Sequence, residues 1–211
     1  RVSVVEVTGS TQDDIAQLVS EKKASGGLVI ATEYQSAGRG RLDRKFDAPA
    51  SSALMFSLYI EPRRDKSDWS FLTLLTGLSA VFALTALDPE STPTLKWPND
   101  IVMGERKVGG IIAQVSGDGV IIGVGINVGM DQSELPVAHA TSLALNNYRT
   151  LDRNHILAAF LNTFEELFER WQNGEDLRHL YRERSSTIGQ EVRIEHPGGS
   201  HKSGRAVDVT P

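Results

Sequence analysis

Lys107-Val108-Gly109-Gly110-Ile111-Ile112-Ala113-Gln114-Val115 and Val120-Ile121-Ile122-Gly123-Val124-Gly125-Ile126-Asn127-Val128 read as two β-branched strands. Gly117-Asp118-Gly119 supplies the turn between them, so antiparallel sheet sits at the middle of the chain. Upstream, Gly104-Glu105 is a two-residue turn leading back to Thr94–Met103, a strand interrupted at Lys96-Trp97-Pro98-Asn99-Asp100. Further strands are expected over Val2–Val7, Leu28–Tyr34 and Ala53–Ile60. A helix capped by Ser10, with Asp13 and Asp14 in its first turn, fills the first gap and stops at Ser25-Gly26-Gly27. Residues 35–50 form a long polar loop, and Trp69–Leu87 is a buried helix ended by Asp88-Pro89.

Downstream of the hairpin, Asp152–Asn173 is amphipathic, with Ile156, Phe160, Thr163, Leu167 and Trp171 on one stripe. A second helix over residues 175–185 follows, then strands at Glu191–Glu195 and Ser203–Val209 around Pro197-Gly198-Gly199. Strands and helices do not alternate strictly, which predicts an α+β fold with a mixed, mostly antiparallel sheet and flanking helices. A boundary near 186–190 divides the chain into residues 1–187 and a partial β unit, 188–211.

Composition excludes several classes. The 211 residues are 40% apolar and 23% charged, with 19 glycines, which rules out a disordered chain, a collagen-like fibre and a coiled coil. The formal charge is −5 and the pI about 5.6, against a general nucleic-acid binder. Zero cysteines exclude a disulfide framework, a thiolate metal site and a cysteine nucleophile. No uninterrupted run approaches 18 apolar residues, and the N-terminus lacks a signal-peptide core. A cytoplasmic protein without a membrane span is expected.

Four segments carry chemistry. Gly38-Arg39-Gly40-Arg41-Leu42-Asp43-Arg44-Lys45 concentrates four cations in an acidic protein, and its arginines can present guanidinium forks to phosphate oxygens. It is neither a Walker loop nor G-x-G-x-x-G. Pro98 breaks its strand and brings out Asn99 and Asp100. In Lys107-Val108-Gly109-Gly110-Ile111, the hairpin places Lys107 near Asp100, with Gly109 and Gly110 leaving floor space for a ligand. Gly123-Val124-Gly125-Ile126-Asn127 has two glycines where a ligand or a neighbouring element approaches closely, and Asn127 requires a polar partner. There is no G-x-S-x-G elbow, and the five histidines show no metal-ligand spacing. Cations, amides and one carboxylate suit charge stabilisation of a phosphate-containing substrate.

Together, in order, the four segments resemble the biotin protein ligases. The resemblance covers roughly residues 1–185 and implies the class II aminoacyl-tRNA synthetase/biotin synthetase-like fold, with the tail as the start of a small SH3-like β domain. The front of the chain has no room for the helix-turn-helix domain of the bifunctional repressor type. The implied reaction joins biotin to the α-phosphate of ATP, giving biotinyl-5′-AMP and pyrophosphate with Mg2+. A lysine of a biotin carboxyl carrier protein, as in acetyl-CoA carboxylase, then receives the biotinyl group. By the same resemblance Ser10, Thr11, Gln12, Gln35, Arg39, Gly40, Arg41, Lys107, Gly109 and Gly110 bind biotin. Arg39, Arg41, Phe46, Asn99, Lys107 and Asn127 bind the nucleotide. Lys107, Arg41 and Asp100 are the catalytic set, with Asp100 orienting the acceptor lysine or a metal. The family often has Ser-Thr-Asn where this chain has Ser10-Thr11-Gln12, and a stacking tryptophan where it has Phe46.

Residues 36–47 are expected to be mobile without ligand and to close over the adenylate. A monomer or weak homodimer is expected. Two alternatives stand beside this reading. One is a lipoate or octanoate ligase or transferase of the same fold, which needs an apolar acyl tunnel. The other is a non-catalytic nucleotide- or RNA-binding module using the basic loop.

Overall fold

The structure, a computed structural model, describes residues 1–41, 44–196 and 199–210. Leu42 and Asp43 of the basic loop, and Pro197-Gly198 of the tail turn, therefore lie outside the described residues.

Seven strands form one sheet: β1 (Val2–Thr8), β2 (Leu28–Gln35), β3 (Ala53–Ile60), β4 (Pro93–Lys96), β5 (Asp100–Met103), β6 (Arg106–Ser116) and β7 (Gly119–Asn127), in the order β1-β2-β3-β7-β6-β5-β4. Only β1 and β2 pair in parallel, so the sheet is mixed and mostly antiparallel, as its sequence pattern implied. The helices are α1 (Thr11–Ser20), α2 (Leu72–Leu87), α3 (Arg153–Gln172) and α4 (Arg178–Arg184). Two further strands, β8 (Glu191–Glu195) and β9 (His201–Arg205), form a separate two-stranded sheet.

Period-two patterning sorts the sheet into two faces. On β7, Val120, Ile122, Val124 and Ile126, and Val128 just after the strand, point into the main core, where they meet Leu54, Phe56, Leu58 and Ile60 of β3. α2 and α3 cover that face. α2 is apolar all round because it is buried between sheet and α3. Gly77 lets it approach β4, since a Cβ there would meet Leu95 Cδ2 at 2.8 Å. α1 covers the opposite face only in part, packing Ile15 with Leu28, Ile30, Tyr59 and Ile121.

Four boundaries depart from the sequence reading. α1 stops at Ser20 because Lys22 adopts a left-handed conformation (φ 57°) and Lys23 N–H turns back to the Leu18 carbonyl. The expected helix from Trp69 begins as a 3-10 turn, Lys66–Phe71, before α2. Taken together, Lys66–Leu87 is long and apolar enough to cross a membrane, although polar residues interrupt its apolar run; the mean hydropathy of its most apolar 18-residue stretch is 1.9, and 67% of that stretch is buried in the protein. The expected strand Thr94–Met103 is in fact a hairpin. β4 and β5 pair antiparallel with Lys96 opposite Asp100, and Pro98, which has no N–H for a ladder, lies in the reversal after a cis peptide bond. Finally, β9 ends at Arg205 rather than Val209, because the chain leaves the hairpin. Asp208 pairs with Arg182 at 2.7 Å and Val209 enters the main core. The α3 stripe also includes Phe164 in place of the half-buried Thr163, and Asp152 caps the helix by accepting from Asn154 N–H and His155 N–H.

Candidate active site

The face opposite the main core is built from small residues. Met55, Gly125, Gly110 and Asp100 form one row across β3, β7, β6 and β5, and Ser57, Gly123 and Ile112 form the next. A Cβ on Gly125 would stand 2.7 Å from the Phe46 ring, and one on Gly123 would stand 3.1 Å from the Gln12 side chain. Both glycines thus seat a side chain from another element.

At the start of α1, Gln35 Oε1 accepts from Thr11 N–H (2.9 Å) and from the Thr11 hydroxyl (3.2 Å). The Thr11 hydroxyl also meets the Ser57 hydroxyl at 2.7 Å. Ser10 occupies the N-cap position and is buried, but its hydroxyl makes no capping hydrogen bond. The helix entrance therefore carries a cluster of buried polar groups, and sequence reasoning missed Ser57. Its signal was a lone serine within the otherwise apolar β3.

Lys107 and Asp100 form an ion pair at 2.5 Å across β5 and β6, with both side chains about one-third exposed. A bulge at Ile101/Val102 sets the register of these strands. The missing side chain of Gly110 points at this pair, since a Cβ would meet Lys107 Nζ at 3.1 Å. Gly109 faces the other way, toward Ile101 and Ile126 of the core, so its space serves sheet packing. Residues 139–141 run beside Lys107, whose N–H donates to the His139 carbonyl and whose carbonyl accepts from Thr141 N–H. Asn127 is buried and donates Nδ2 to the Thr141 carbonyl (2.9 Å), which is the polar partner its sequence position required.

The basic loop folds over this face. Gly40 N–H donates to the Arg44 carbonyl and Phe46 N–H to the Gly38 carbonyl, making a narrow ribbon. Arg41 Nη1 donates to Asn99 Oδ1 (3.2 Å), while Asn99 Nδ2 donates to the Ile111 carbonyl (2.8 Å). Arg39 reaches Gln114 on β6. A cavity of about 570 Å3 lies beneath, lined by Gln12, Arg39, Gly40, Arg41, Asn99 and Gln114 among others. Of the residues singled out in the sequence, those five up to Asn99 share this cavity. Ser10, Thr11 and Gln35 cluster at the helix entrance, and Lys107 with Asp100 stands at the β5–β6 end. Phe46 packs on Gly125 in the row between them. Gln114 went unnoticed in the sequence, although its period-two spacing from Gly110 and Ile112 puts it on the same face. Among the described residues no three His, Cys, Asp or Glu side chains gather to hold a metal.

A profile of the biotin/lipoate A/B protein ligase family matches residues 4–131. The chain is 36% identical over 214 residues to the biotin--[acetyl-CoA-carboxylase] ligase of Mycobacterium tuberculosis, covering 99% of this chain and 80% of that protein. It is 32% identical to the bifunctional ligase/repressor BirA of Escherichia coli, spanning about half (54%) of that longer protein. Biotin protein ligase from Aquifex aeolicus, solved with biotin and ATP, superposes with a TM-score of 0.85 at 28% identity, over 100% of this chain and 88% of that one.

Proposed function

This chain belongs to the biotin/lipoate A/B protein ligase family, and from that premise we propose that it is an ATP-dependent biotin protein ligase. In the first step a biotin carboxylate oxygen attacks the α-phosphorus of ATP and pyrophosphate leaves, giving biotinyl-5′-AMP. In the second, the amine of a carrier-protein lysine attacks the acyl carbon and AMP leaves. The observation that carries this reading is the convergence of Lys107, Arg39 and Arg41 on one glycine-floored face of the sheet. Asn99-Asp100 links two of them, Asn99 binding Arg41 and Asp100 binding Lys107.

The chemistry needs such a set. Carboxylate and phosphate repel, and fixed cations between them offset that repulsion and stabilise the charge that builds on the phosphate. One ion pair at about 4 Å is worth about 4 kcal/mol at an effective dielectric near 20. Lys107 bridges the biotin carboxylate and the α-phosphate, while Arg39 and Arg41 hold the nucleotide phosphates under the loop. Ser10, Thr11 and Gln35 receive the polar ureido ring: a free serine hydroxyl and a threonine–glutamine–serine network fit a planar group that both donates and accepts. Gln12, lying on Gly123, bounds that end of the trough. Phe46 takes the adenine-stacking place, with Asn99 and Asn127 framing the nucleotide. Closure of the loop excludes water from the acyl-phosphate anhydride.

Asp100 offers Mg2+ one carboxylate, which fits an ion that enters on ATP phosphates and keeps most of its own waters. When bound, the ion neutralises phosphate charge. Once the adenylate has formed, Asp100 orients the incoming lysine amine. The carrier domain docks along β6, which pairs with β5 as far as Gly110, has its Ile111 backbone groups taken by Asn99, and beyond that carries no further strand among the described residues, with Val115 exposed. A cytoplasmic location goes with these substrates.

The test is exchange of labelled pyrophosphate into ATP, run with biotin, lipoate and octanoate. Exchange with biotin alone is expected. Exchange with lipoate instead moves the chain to the lipoate branch of its family and voids the ureido contacts.

A further inference from the structure

The loop arginine Arg39 is held from two sides. Its Nη2 lies 2.7 Å from Asp13 Oδ1 on α1 and 3.4 Å from Gln114 Oε1 on β6. One guanidinium nitrogen therefore ties the loop to a helix and a strand, and Nε and Nη1 make no hydrogen bond to described residues. Those are the donors an anion under the loop needs. Asp13 lies outside the cavity lining and outside every motif that marks the site. We propose that Asp13 is a positioning residue: its carboxylate clamps Arg39 and raises the fraction of time that the loop spends closed across the cavity, while leaving the rest of the guanidinium free for substrate phosphate. The functional part of this inference rests on the biotin-ligase reading.

Geometry separates this role from a general one. Asp14 sits in the same first turn of α1 and contributes the same favourable charge at the helix N-terminus, yet it accepts from the Thr8 hydroxyl (2.9 Å) and makes no hydrogen bond or ion pair with the described residues of the loop. Asp13→Asn and Asp14→Asn thus remove equal charge from the helix end, but only the first releases the clamp. Both partners are partly exposed (42% and 59%), so the clamp has the strength of a surface ion pair and weakens with salt.

The experiment is limited trypsin digestion of the full chain without ligands, following cleavage within residues 39–45. Asp13→Asn is expected to accelerate cleavage up to about fivefold at low salt, the range open to an exposed ion pair. That difference should shrink as salt rises from about 0.01 M to about 1 M and the Debye length falls from about 30 Å to about 3 Å. Asp14→Asn should cleave like the parent, and Asp13→Glu should restore slow cleavage. Parental cleavage in Asp13→Asn, or equal acceleration in Asp14→Asn, overturns the clamp. In parallel, biotinyl-adenylate should leave Asp13→Asn faster by a similar factor while the rate of biotin-dependent exchange at saturation stays near the parent's. Adenylate release at the parent's rate overturns the functional role. Failure of exchange in the parent itself overturns the biotin-ligase reading and leaves the proteolysis result to judge the clamp alone.

Discussion

The two faces of β7 are one strand used in two ways. Val120, Ile122, Val124 and Ile126 fill the core beneath α2 and α3, whereas Gly123, Gly125 and Asn127 on the other face leave room for Gln12, Phe46 and the 139–143 segment. A strand gains stability from large side chains on one side and gains a site from small ones on the other. The core face can hold the sheet rigid precisely where the site face has little packing of its own. Substitutions on the two faces should therefore separate stability from chemistry.

Ile122→Ala is the harshest test of the core face. It removes a fully buried side chain, and the expected cost is about 2–5 kcal/mol, read as a lowered denaturant midpoint. The turnover of the molecules that remain folded should be near the parent's, so a selective loss of exchange would blur the division. Lys107→Ala is the mirror experiment. Biotin-dependent exchange should drop about 10²–10³-fold, as when a charge-stabilising group is removed, with the melting temperature little changed because the Asp100 pair is part-exposed. If adenylation survives, the role assigned to Lys107 is wrong.

Gly125→Ala sharpens the comparison at its centre. The new methyl group would sit 2.7 Å from the Phe46 ring, so the ring must move, while the strand itself can gain about 0.4–1 kcal/mol from the loss of glycine freedom. The expected signature is unchanged or slightly raised stability with a raised KM for ATP. The mildest change is Glu33→Gln, where β2 meets the end of the basic loop. The Ser51 hydroxyl and then Arg153 hold the Glu33 carboxyl below its ordinary value of 4.5. Its contribution to stability is therefore in place above that value and is lost as pH falls through the lowered one. Parent and variant should differ at pH 7 and converge on acidification. A difference that persists in acid would assign the effect to packing.

The sequence made the strands legible where side-chain chemistry is local. Ala53–Ile60 matches β3 residue for residue, and the β6–β7 hairpin follows from β-branched runs around Gly117-Asp118. Lys107 near Asp100 also followed, because the two-residue turn pairs Met103 with Arg106 and Val102 with Lys107, but the bulge at Ile101/Val102 that brings Gly110 opposite Asp100 has no turn signal. Thr94–Met103 was harder: a proline inside an apolar run marks a break, and only pairing tells a break from a reversal. Ser57 and Gln114 escaped because a single polar residue in a strand has no meaning until its face is known. Asp13 escaped for a related reason, since it meets Arg39 from 26 residues away.

Composition and periodicity were enough to determine an α+β fold with a mostly antiparallel sheet, because residue type and spacing fix local conformation, and the four ordered motifs added the ligase class through their resemblance to the biotin protein ligases. Tertiary structure alone decided which glycine faces the site, which partner takes the Asn127 amide, and how the loop is tethered. Those outcomes depend on long-range register and on the packing of elements distant in sequence, and no local pattern encodes either.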